Sequence, residues 1–91
     1  MSNRETQLIE AVEKLLDLAN ELAESSDPDV INAALLHAAS RYNAFVVALN
    51  TDDLKDEKRS AVSYLVGEYK AMLEEQLDDF IANPVVAEDD D

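Results

Sequence analysis

Apolar positions along this chain recur three and four residues apart, a period near 3.6, and nowhere in strict alternation. That spacing predicts helices and no strands. Leu8, Val12, Leu15, Ala19 and Leu22 form a first stripe, widened by Ile9, Leu16 and Ala23. Glu10, Glu13, Asp17, Glu21 and Glu24 fall on its wet side. A helix from about Asn3 to Glu24 follows, with Ser2 and Glu5 at the spacing of a capping box. Ser25-Ser26-Asp27-Pro28 ends it. Asp27 is suited to cap the next helix, and Pro28 to be its first residue.

The second helix, about Pro28 to Leu49, is apolar nearly all round. Ile31, Ala34, Leu35, Ala38, Tyr42, Phe45, Val46 and Leu49 share one broad face. Leu36 and Val47 lie on the other, among Asn32, Ser40 and Asn43. A helix of this kind is expected to be buried, here as the central helix of three. Its many Ala residues favour helix and permit neighbours to approach closely. The third helix starts after Asn50-Thr51-Asp52-Asp53, with Asp53 as cap, and reaches about Ala82. Pro84 bars much further extension. Val62, Val66, Tyr69, Leu73, Leu77 and Phe80 make its stripe, with Leu65, Met72 and Ile81 beside it.

The expected fold class is therefore all-α: an antiparallel three-helix up-down-up bundle whose third helix is the longest. Residues 1–83 are read as a single domain and 84–91 as an acidic, disordered tail. The first two helices span roughly 33 Å and the third roughly 43 Å at 1.5 Å per residue. In an antiparallel bundle the third helix passes the start of the second near Glu75. Leu77, Phe80 and Ile81 then overhang it by about 10 Å. They can fold over the Ser25–Pro28 connection, the helix can fray there, or a second subunit can cover them. Leu36 and Val47, apolar on the less apolar side of the second helix, point to the same need for cover. A bundle of this length has a core of limited size, which favours a homodimer or higher oligomer.

Composition narrows the functional classes. Seven Lys plus Arg against twenty-one Asp plus Glu give a net charge of −14. Removing the four acids of the tail from −14 leaves −10, so the excess acidity belongs mainly to the folded part. Such a charge opposes binding to nucleic acid or to anionic lipid. No uncharged apolar run is long enough to span a membrane. The polar start, Met1 to Thr6, lacks the layout of a signal peptide. The absence of Cys removes disulfides, thiolate metal sites and Cys nucleophiles. A cytoplasmic location is the simplest expectation.

Few residues suggest chemistry. Glu74, Glu75, Asp78 and Asp79 are four carboxylates within six residues, paired i to i+4. They can be read as oxygen ligands for a divalent cation or as a solvated acidic face. The second reading is favoured, so no metal site is assigned. His37 is the only His, and the sequence names no nucleophile for it to activate. No catalytic and no cofactor-binding residue is assigned. Arg41 is the only cation between Lys14 and Lys55, next to Tyr42 in the most apolar part of the chain. Burial there would compel it to find a carboxylate, with Glu68, Glu75 and Asp79 as candidates from the same or another subunit. It either fixes helix register through an ion pair or forms part of a ligand or partner site. Gly67, the only Gly, sits mid-helix at a cost of about 1 kcal/mol against Ala. Close approach to the Ala-rich helix, or a slight bend, would account for it.

Two stretches carry a resemblance. They are Ala33-Ala34-Leu35-Leu36-His37-Ala38-Ala39-Ser40-Arg41-Tyr42-Asn43-Ala44-Phe45-Val46-Val47 and Val66-Gly67-Glu68-Tyr69-Lys70-Ala71-Met72-Leu73-Glu74-Glu75-Gln76-Leu77-Asp78-Asp79. Together they resemble a small bacterial family, domain of unknown function 3144, from the Leu18-Ala19-Asn20 stretch to the end of the third helix. The resemblance implies a short cytoplasmic helical protein of bacteria. It implies no known activity, and it supplies no catalytic residues.

Three functions are then open. The first is a non-enzymatic protein-interaction module that associates with itself and possibly with another protein, using Arg41, Tyr42, Leu36, Val47, Leu77, Phe80 and Ile81. The second is an acidic decoy that mimics nucleic acid for a basic partner, using Glu74, Glu75, Asp78, Asp79 and the Asp-rich tail. The third is a small-ligand-binding enzyme subunit built around Arg41. The interaction module is preferred.

Overall fold

The computed structural model describes residues 3–85. Among them are three α-helices and no strand: α1 (Asn3–Ala23), α2 (Pro28–Leu49) and α3 (Leu54–Ala82). The chain is all-α, and its third helix, of 29 residues against 21 and 22, is the longest. Ser2, and with it the Ser2–Glu5 capping pair, lies outside the described residues, as does the acidic end from residue 86.

Local chemistry sets the helix ends. The Asp27 carboxylate accepts the Asp29 N–H at 2.9 Å, and its carbonyl accepts from Val30 and Ile31 at 2.9 and 3.2 Å. Asp27 thus caps α2, while Pro28 occupies a position whose N–H has no use in a helix. Asp53 does the same for α3, accepting the Asp56 N–H at 3.1 Å through its side chain and the Glu57 N–H at 3.0 Å through its carbonyl. Thr51 Oγ1 in turn accepts the Asp53 N–H at 3.2 Å. At the far end of α3 the Asn83 N–H reaches the Asp79 carbonyl at 2.8 Å, and Pro84 follows.

The chain divides into two compact units, Met1–Val46 and Val47–Asp91. The first holds α1 and most of α2; the second holds the last turn of α2 and all of α3. In the first unit the least exposed positions, Ala19, Ala23 and Ile31, flank the connection between α1 and α2. In the second they are Val47, Thr51, Ala61 and Leu65.

Burial departs from the expectation for α2. Ala19, 7% exposed, is the one buried apolar residue among those described, and no residue of α2 is buried. Tyr42 is 66% exposed and Leu49 68%. No residue of α2 reaches the burial expected of a central helix. Burial depends on what surrounds a helix, not on the helix alone. Within its own unit α2 has one neighbour, and one helix can cover only one side of another. Gly67 departs in a similar way: a Cβ at that position would meet nothing within 4 Å. No close approach within the chain accounts for it.

Candidate functional site

The feature that distinguishes this chain is an apolar surface left open to solvent. Among the described residues twenty-five large apolar side chains are exposed, far more than the scattered single residues that ordinary surfaces carry. On α2 they include Leu35, Leu36, Tyr42, Phe45, Val46 and Leu49. Tyr42 and Phe45, one turn apart, bring their rings to 6.0 Å between centroids at a tilt of 49°. This contact joins two exposed side chains on one side of α2. Leu36 is exposed on the other side, and Val47 is half-buried. On α3, Leu77, Phe80 and Ile81 are all exposed, Ile81 by 75%. These three are the residues expected to need cover.

Arg41 is also exposed. The desolvation that would compel it to pair is thus not at work in the single chain. Arg41 belongs to the first unit, and Glu68, Glu75 and Asp79 to the second. Next to it, Ser40 Oγ donates to the His37 carbonyl at 2.9 Å, a bond back to the preceding turn that keeps the hydroxyl satisfied on an apolar helix.

The acidic group on α3 is divided among local partners. Lys70 Nζ bonds Glu74 Oε2 at 3.0 Å, an exposed i, i+4 pair. Asp79 accepts from the Asn83 amide at 3.3 Å on its carboxylate and 3.2 Å on its carbonyl. Among the described residues no three His, Asp or Glu side chains converge so as to hold a metal ion. Asn83 was not singled out from the sequence. The signal for it is an Asn immediately after the last periodic residue and before a Pro.

A family model described as "Protein of unknown function (DUF3144)" matches residues 8–81. The chain belongs to this family. The match takes in both stretches that carry the resemblance and extends it forward to Leu8, across most of α1. No curated protein and no solved structure matches the chain. Membership therefore joins the open apolar surface to a family whose description names no activity. Among the described residues no helix of this family member is long and apolar enough to cross a membrane.

Proposed function

We propose that this chain is a non-enzymatic protein-interaction module that associates with itself, acting in the bacterial cytoplasm. One observation carries the reading: most of the large apolar side chains of all three helices are exposed, while Ala19 is the buried apolar residue among those described. Apolar area removed from water stabilises by about 25 cal/mol per Å², so a surface of this kind favours a partner that covers it. Leu36, Arg41 and Tyr42 in the first unit, and Val47, Leu77, Phe80 and Ile81 in the second, are the candidate contact residues.

Sedimentation velocity of the full chain over a wide concentration range tests this. The expected result is a species heavier than the 10.1 kDa chain that gains population with concentration. A 10.1 kDa species at every concentration would overturn self-association. A basic protein captured from the native cells and released steeply by added salt would favour an acidic decoy instead.

A further inference from the structure

Helix-forming strength is unevenly spread along α3. Residues 70–77, Lys-Ala-Met-Leu-Glu-Glu-Gln-Leu, are all strong helix formers, and so are most of residues 54–61. Between them, residues 62–69 read Val-Ser-Tyr-Leu-Val-Gly-Glu-Tyr. The Val, Tyr and Ser residues and the chain's only Gly favour a helix less than Ala, Leu, Glu or Lys do.

Side-chain support has the same distribution. Asp53 caps the start of α3, and Ser60 Oγ donates to Glu57 Oε2 at 3.2 Å in the next turns. Lys70 meets Glu74 at 3.0 Å, and the Asn83 amide meets Asp79 at the far end. Among the described residues, 61–69 take no part in a side-chain hydrogen bond or ion pair.

Gly67 is the weakest point of this weak segment. Its φ is not positive, so the helix makes no use of the conformations that Gly alone reaches easily. Within its own unit a Cβ there would meet nothing within 4 Å, so no contact in that unit requires Gly. The glycine weakens the straight helix without serving it. Its freedom serves a conformation in which α3 bends.

We propose that α3 is hinged at residues 62–69, where the helix opens locally about Gly67 while the segments on either side stay helical. The hinge is a property of α3 itself and does not rest on self-association. It lets the distal half, which carries Leu77, Phe80 and Ile81, change direction without melting.

Amide hydrogen exchange on the full chain reads such an opening residue by residue. Opening about Gly67 breaks the bonds that the N–H groups of residues 67–71 make to carbonyls four residues back. Corrected for intrinsic rates, those amides are expected to exchange at least about fivefold faster than those of residues 58–61 and 72–76. Gly67→Ala is expected to slow them about fivefold and to leave the flanking amides within about twofold. Uniform protection along α3, or uniform slowing by Gly67→Ala, would overturn the hinge, because α3 would then open as one piece. Faster exchange throughout in Gly67→Ala would overturn it too, because a close approach to another surface would then be what requires Gly.

A second measurement reads geometry in place of stability. The chain has no Cys, so Lys58→Cys combined with Gln76→Cys places two spin labels on α3 alone. At 1.5 Å per residue their Cα atoms stand about 27 Å apart in a straight helix. The labelled chain is diluted with unlabelled chain, so that distances within one copy are read. With Gly67 in place, that distance is expected together with a shorter population, which Gly67→Ala suppresses. A single narrow distance of about 27 Å with Gly67 in place would overturn the hinge.

Discussion

α2 and α3 are both exposed along their length, yet exposure means different things for them. α3 is a long helix laced with eleven charged side chains, one pair of which, Lys70–Glu74, is in contact. Water suits most of its circumference. α2 has two charged side chains in 22 residues, and most of what it shows to water is apolar. An exposed apolar helix without charges has no favourable surroundings except another apolar surface. The comparison teaches that exposure alone does not mark a docking face. The proposed association draws on exposure combined with sparse charge.

The strongest way to break that comparison is to break each helix in turn. Ala38→Pro in α2 and Ala71→Pro in α3 each remove a backbone hydrogen bond and introduce a clash, at a cost of about 3 kcal/mol or more. Thermal melts followed by circular dichroism, paired with sedimentation, should show Ala38→Pro abolishing association along with helix. Ala71→Pro should lose helix but keep more of the association. The reverse ranking would move the interface to α3. The next effect in size concerns the two caps. Asp27→Ala and Asp53→Ala should each lower stability by about 1 kcal/mol, readable as a shift of the urea midpoint. Near-equal losses are expected, because each aspartate satisfies one first-turn N–H of its helix, at 2.9 Å two residues on for Asp27 and 3.1 Å three residues on for Asp53.

A subtler test uses Gly67, whose missing Cβ would touch nothing within the chain. Gly67→Ala should raise stability by up to about 1 kcal/mol. A loss instead would show that another surface closes on α3 at that point, and would weaken the contrast between the helices. The smallest effect is Lys70→Ala. Its pair is exposed at both ends, and such pairs contribute about 0.3–0.5 kcal/mol. The change should fade in high salt.

The parts legible in the sequence are those set by neighbours along the chain. Asp27 and Asp53 were readable as caps because an Asp side chain reaches the N–H two or three residues ahead of it. α2 was predicted at Pro28–Leu49, the bounds observed, because Asp27-Pro28 and the polar run after Leu49 punctuate both ends. Family membership was legible too, in the run from Ala33 to Val47 and in that from Val66 to Asp79. What surrounds α2 was not legible. Its composition predicts burial, but composition states a preference and does not supply the surface that satisfies it. The expected need of Arg41 for a carboxylate rested on the same preference. It followed from a buried position, and Arg41 is exposed. The acidic group at Glu74–Asp79 is a milder case. Its local bonds to Lys70 and Asn83 are helical i, i+4 contacts that spacing alone allows.

One small feature has a cellular consequence. Ala19 is the buried side chain among those described, and an alanine removes little area from water. Under the proposed self-association, part of the stability of such a chain comes from contacts with other copies, and that part depends on concentration. Newly made copies are then open to proteases until enough of them accumulate to meet. Under that proposal each copy lives longer the more copies surround it, and dilution becomes a route to its removal.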